Sequence, residues 1–197
     1  MISNATKGAI LPTPDLEKTV KDRTVARVLN NMPIFNDPGD PGRRPVVAVI
    51  DGQGGGFGVA IIREIRAVFG DALDIWALGA NATATEAMMK AKANRGASGE
   101  NAVRVSLGRA QAVLGPIAIT WANAMMGEIS PGLAEAVTSA RAPKILIPLS
   151  QEGVVLAGFT GQPLPHLVAE AVRQLALLAR VAPAGGAAYS GTEQTHV

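Results

Sequence analysis

Cysteine is absent from the 197-residue chain, which excludes disulfides, thiolate nucleophiles, cysteine-ligated zinc and iron–sulfur clusters. Histidine is nearly absent, with only His166 and His196, so multi-histidine metal sites and histidine-based triads are not expected. Aromatic residues make up 4% of the chain against an apolar total of 48%, so the core is mainly Ala, Val, Leu and Ile, as where helices pack closely on a sheet. Neither sign of charge dominates. The 18 basic and 16 acidic residues leave +2, no long basic run occurs, and the pI of 9.2 reflects a small imbalance rather than a nucleic-acid surface. No apolar stretch approaches the ~18–20 residues that span a bilayer, and Met1 to Lys7 lack the basic and apolar regions of a secretory signal. The expectation is a cytoplasmic protein without nucleic-acid or membrane partners and without a metal.

What is present divides the chain in three. Residues 1–45 hold six of the 13 prolines, and the turn formers from Asn36 to Pro45 read as a linker. Before it, Thr13-Pro14-Asp15 is a helix start, with Val20, Val25, Val28 and Leu29 as an apolar stripe. This arm docks on its own domain or on a partner. Residues 46–181 alternate strand and helix, and 182–197 form a small-residue, polar tail expected to be disordered.

Within the middle segment, Val46–Ile50 is a β-branched apolar run of the kind buried on both faces of a parallel sheet. A helix is predicted from Phe57 to Phe69, a strand over Leu73–Leu78, and a helix over Ala82–Lys92 with Thr83 and Glu86 at capping-box spacing. Ala93–Glu100 reads as irregular, followed by a helical or mixed segment at Asn101–Arg109 and a short strand at Ala112–Gly115. Ser130 as N-cap and Pro131 at the first helical position start a helix running to about Arg141. Two more strands, Lys144–Leu149 and Val154–Phe159, precede a helix from Pro163 to Val181. This alternation predicts a single Rossmann-like α/β domain, an open parallel sheet of five or six strands with helices on both faces.

The most informative stretch is Asp51-Gly52-Gln53-Gly54-Gly55-Gly56-Phe57-Gly58. Glycines let the backbone turn sharply and bring N–H groups against an anion, and the N-terminus of the following helix adds about half a positive charge there. Gly52, Gly56 and Gly58 have the G-x-x-x-G-x-G spacing of short-chain dehydrogenases. The stricter G-x-G-x-x-G fails at Phe57, and no Lys-Ser/Thr follows as in a P-loop. A carboxylate beside a phosphate is repulsive unless it caps loop amides, binds a ribose hydroxyl or holds a cation; capping is the favoured role for Asp51. Enzymes that use NAD place an acid at the end of the second strand, where this chain has Leu78-Gly79-Ala80-Asn81, so NAD with the standard diol contact is not expected, and NADP, a different nucleotide or another small phosphate-bearing ligand stays open. Gly79, Asn81 and Thr83 are candidate contacts, the last two equally readable as helix-start residues. Gly115 and Pro116 fall at the carboxyl edge of the sheet, where such folds bind ligands, and Ser150 follows its strand in the same sense.

Five patches carry a resemblance: Ile50–Gly58, Ala77–Asn81, Gly96–Asn101, Gly115–Ile117 and Gly127–Pro131. Over about Pro45 to Val181 the chain resembles a family of small bacterial proteins classed as a domain of unknown function, which implies a Rossmann-like fold and no particular activity. The resemblance to short-chain dehydrogenases is confined to the glycine loop. Their Tyr-x-x-x-Lys pair has no match, because the single tyrosine, Tyr189, lies in the tail. Acid–base candidates are Asp51, Glu100 and Glu128, each beside a glycine. His166 reads as structural, and Met125-Met126 near Trp121 as core or subunit interface. Two readings stay open. One is a nucleotide-binding protein, an oxidoreductase using NADP; the other is a non-catalytic subunit holding a protein partner through residues 1–45. A homo-oligomer is expected in either case.

Overall fold

The computed structural model describes residues 44–149, 154–159 and 161–181. The arm helix, most of the linker, Ser150, Tyr189, His196 and the tail lie outside the described residues. Five parallel strands, β1 (Val46–Asp51), β2 (Asp74–Gly79), β3 (Arg95–Ser98), β4 (Ala112–Pro116) and β5 (Lys144–Ile147), form one sheet in the order β3-β2-β1-β4-β5. The chain builds outward from β1 to β3, then crosses back to lay β4 on the other side of β1. This reversal gives the Rossmann strand order without its sixth strand.

Five helices cover the sheet: α1 (Gly56–Phe69), α2 (Ala82–Lys90), α3 (Glu100–Leu107), α4 (Pro131–Ser139) and α5 (Leu164–Val181). Alternation along β1 decides what each face packs against. Val47 and Val49 meet Ile61, Ile62 and Ile65 of α1, Met88 of α2, and Val168, Val172 and Leu175 of α5. Val46, Ala48 and Ile50 belong to the opposite core with Val103 and Leu107 of α3 and Leu133 and Val137 of α4. Central β1 is buried at every position, which is why its sequence is continuously apolar rather than alternating.

Three expectations are corrected. The stretch read as irregular contains β3, an edge strand of sequence Arg-Gly-Ala-Ser pairing Trp76↔Arg95 through Gly79↔Ser98. Its exposed pattern carries no apolar period, so only its pairing with β2 reveals it. The predicted strand Val154–Phe159 is not a strand. Beyond an isolated bridge at Val154, the chain turns, with Gly158 at φ 80°, the Phe159 amide donating to the Leu156 carbonyl at 3.1 Å, and Val155 94% exposed. The run adds no strand beyond β5, which ends the sheet; Phe159 packs on the core instead. The capping box at Thr83 is also displaced. Asn81 is the N-cap of α2, accepting from the Ala84 amide, Thr83 stands exposed in the first turn, and Glu86 pairs with Lys90 instead.

Candidate functional site

Because all strands are parallel, the N-termini of α1, α2, α3 and α4 gather at the carboxyl edge of the sheet, and the reversal of strand order between β1 and β4 opens there. The glycine loop occupies this edge between β1 and α1. Asp51, the last residue of β1, is 1% exposed and lies beneath the loop rather than in front of it. Its Oδ1 accepts from the Gly52 amide at 2.8 Å and its Oδ2 from the Gly58 amide at 2.7 Å. Gly58 is in the first turn of α1, whose N-cap, Gly55, has no side chain, so Asp51 serves as the helix's anionic cap. Burial pushes the Asp51 carboxyl above its ordinary range, the amides of Gly58, Gly52 and Phe57 oppose that rise, and the charge of Glu128 adds to it.

The loop glycines divide into two kinds. Three are crowded by internal packing, Gly55 by backbone and the other two by side chains. A methyl group at Gly52 would stand 2.7 Å from Met125 Sδ and 3.0 Å from Glu128 Oε2; at Gly55, which has φ +72°, it would meet the Ala84 backbone at 2.8 Å; at Gly58 it would collide with the Met88 side chain. Gly54 and Gly56 are exposed, lie outside the left-handed φ range, and a methyl group at either would meet no described atom within 4 Å. Between them and β1 sits Gln53, exposed and at φ 50°. Phe57 is half-buried.

Over the loop folds the segment from Trp121 to Ser130, which joins β4 to α4 by way of a short turn of helix at Ile117–Thr120. It holds three non-glycine residues in the left-handed region, Asn123 (φ 66°), Met125 (φ 56°) and Met126 (φ 59°), followed by Gly127 at φ 90°. Met125 packs against the α3–α4 core, whereas Met126 is 98% exposed. From this segment Glu128 reaches across β1. Its Oε2 accepts from the Gln53 amide at 2.6 Å and from Asn81 Nδ2 at 2.7 Å. Asn81 is itself immobilised, its Nδ2 donating also to the Gln53 carbonyl at 3.0 Å and its Oδ1 capping α2 at 2.7 Å.

The fold therefore brings Gly52, Gln53, Asn81 and Glu128 together. Gly79 and Gly115 are buried beneath this edge for packing reasons. A side chain at Gly79 would collide with Thr85, and one at Gly115 would stand 2.5 Å from the Ile50 carbonyl. Pro116 is buried beside it. Glu100 stands apart, accepting from the Ser130 hydroxyl at 2.6 Å and from Arg104 at 3.3 Å. These two donors hold its carboxyl below the ordinary range. Sequence reasoning named Glu128 but did not place it on Asn81, since the two are 47 residues apart and no local pattern links them.

No helix among the described residues is long and apolar enough to cross a membrane. Residues 46–180 match the model of a family described as Domain of unknown function (DUF3842). No curated protein and no solved structure matches the chain.

Proposed function

The chain belongs to the DUF3842 family, and from the geometry of its β1–α1 loop we propose that it binds a nucleotide or dinucleotide, with the phosphates seated on Gly54 and Gly56. The observation that carries this reading is that these two glycines are required neither by packing nor by a left-handed backbone, while Gly52, Gly55 and Gly58 are explained without a ligand. Glycine at an exposed, unstrained position beside a helix N-terminus suits close approach of an anion to the backbone. The reversal of strand order places that approach where open α/β sheets bind ligands.

Asp51 does not oppose this. Its charge is buried and spread over loop amides, so a phosphate meets the loop from the solvent side, at Gly54 and Gly56, rather than at Gly58, whose amide is taken. Thermal-shift and calorimetric titration of the full chain, unfolded and refolded to strip bound ligand, with ADP, ATP, NAD, NADP, FAD and CoA tests the reading. A concentration-dependent rise in Tm with at least one of them is the expected result; no response to any overturns it.

A second reading, binding without chemistry, is favoured by one observation. Of the three acid–base candidates, Asp51 and Glu100 have both oxygens engaged by partners inside the protein, so neither is poised as a general acid or base, and Glu128 has one oxygen so engaged. In that reading the arm 1–45 recruits a protein partner. Deleting residues 1–44 is expected to abolish partner co-purification while nucleotide binding persists, and unchanged co-purification refutes it.

A further inference from the structure

We infer that Glu128 is the acceptor for the ribose hydroxyls of the bound nucleotide, so that the site takes ligands with a free 2′,3′-diol and rejects those carrying a 2′-phosphate. The inference rests on the nucleotide reading above and narrows it to a ligand class.

In Rossmann dinucleotide sites the ribose hydroxyls are met by an acid near the end of the second strand. Here β2 ends in Gly79 and is followed by Ala80 and Asn81, which supply none. The tertiary structure brings one to the same place. Glu128 Oε2 is bonded to Asn81 Nδ2 and to the Gln53 amide, so a carboxylate stands between the glycine loop and the start of α2, delivered from the β4–α4 segment. Both of these bonds fall on one oxygen, which leaves Oε1 to accept from a ligand hydroxyl among the described residues.

The placement is imposed by the surrounding backbone. Asn81 cannot swing away without uncapping α2, because its own Oδ1 accepts from the Ala84 amide. The segment behind Glu128 holds Asn123, Met125 and Met126 in left-handed conformations, locked by the Asn123 amide on the Ile129 carbonyl at 2.7 Å and the Glu128 amide on the Met125 carbonyl at 3.2 Å. Non-glycine residues in that region are strained and persist where the surroundings over-determine them, most often at ligand clamps and active sites. Here the strained turn aims one side chain, Glu128, over Gly52.

Electrostatics sets the selectivity. Asp51 lies beneath Gly52 and Glu128 above it, and the ion pairs of the described residues use Asp71, Glu86, Glu100, Glu135 and Glu170 rather than either of these. A diol donates hydrogen bonds to such a surface. A 2′-phosphate meets a carboxylate there, and like charges in contact oppose binding.

The test is calorimetric titration of the full chain with NAD, NADP, ADP and 2′-deoxy-ADP, repeated on E128Q. The wild-type chain is expected to bind NADP at least about tenfold more weakly than NAD and 2′-deoxy-ADP more weakly than ADP. E128Q, which keeps the size and loses the charge, is expected to narrow the NAD–NADP gap while still binding. Equal affinity for NAD and NADP, or for ADP and its deoxy analogue, in the wild-type chain overturns this inference and leaves the glycine-loop reading standing. Absence of binding by all four overturns this inference, and the glycine-loop reading falls with it only if ATP, FAD and CoA fail to bind as well. The deoxy comparison requires no substitution, so it decides even if E128Q folds poorly.

Discussion

Alanine substituted at Gly54 and, separately, at Gly115 sends the same methyl group into opposite environments. At Gly115 the methyl carbon would stand 2.5 Å from the Ile50 carbonyl oxygen and 2.8 Å from Ile119 Cδ1. The first neighbour is backbone of the adjacent β1 strand and cannot rotate away, so β1 and β4 must part where they are paired. Overpacking of this kind costs about 1–3 kcal/mol, and at about 4 °C per kcal/mol for a domain of this size the melting temperature falls by roughly 4–12 °C. At Gly54 the methyl meets no described atom within 4 Å and φ is not left-handed. There the substitution chiefly removes freedom from the unfolded chain, a gain of about 0.4–1 kcal/mol, so the melting temperature holds or rises. Binding moves the other way. A hydrogen bond from the loop to a charged phosphate is worth about 1.5–3 kcal/mol, so displacing the anion from Gly54 weakens the nucleotide by roughly 10- to 150-fold. Scanning calorimetry without ligand and titration with the tightest-binding nucleotide read the two effects independently. If Gly54→Ala destabilises as much as Gly115→Ala, Gly54 is a structural glycine like the others. If it is stable yet binds as wild type, the phosphates are not at Gly54. Either result refutes the reasoning.

Other substitutions probe the supports of the site. The raised value of Asp51 stabilises the folded state below its unfolded pKa of about 3.9 and loses that contribution as pH rises through the folded value. Urea unfolding should therefore show the stability of wild type minus that of Asp51→Asn declining as pH is raised from about 3.9, and a flat or rising difference contradicts the assigned direction. Ser130→Ala removes the N-cap that accepts from the Leu133 amide at 3.1 Å and is expected to lower stability by about 1 kcal/mol. The same change removes the hydroxyl donor of Glu100, so an NMR titration should find that carboxyl moving back toward its ordinary value. Arg66 joins the end of α1 to the turns around it, donating to the carbonyls of Lys92 at 2.9 Å, Gly70 at 2.8 Å and Leu73 at 3.2 Å and to Asn94. A lysine ammonium cannot reproduce that fork, so Arg66→Lys is expected to cost about 1–3 kcal/mol in chemical denaturation; an unchanged midpoint would show those bonds to be idle.

How much of this was legible in the residues differs from element to element. Val46–Ile50 could be read as a buried strand because burial on both faces demands an uninterrupted apolar run. The helices over α1, α4 and α5 announced themselves by apolar period and, for α4, by Ser130-Pro131. Strand β3 did not, since Arg95 to Ser98 lie at an edge and need no apolar side chains to pair with β2. The run Val154–Phe159 had strand composition but turns at Gly158 instead of extending the sheet, and composition cannot report where a chain turns in three dimensions. At the site, the density of glycine marked the loop, yet equal-looking glycines turned out to serve different ends. Only Met125, Glu128, Ala84 and Met88, brought in from other elements, distinguish Gly52, Gly55 and Gly58 from Gly54 and Gly56.

By itself the sequence determined the fold class, the order of its main elements and the position of the glycine loop, because these follow from hydrophobic period, turn residues and caps within a few residues of one another. The tertiary structure alone decided which amides Asp51 caps, those of Gly52 and Gly58, that an acid does reach the end of β2, and that this acid is Glu128. Those facts depend on contacts between residues far apart in the chain, and such contacts exist only once burial of the two helix layers has fixed where each loop emerges from the sheet.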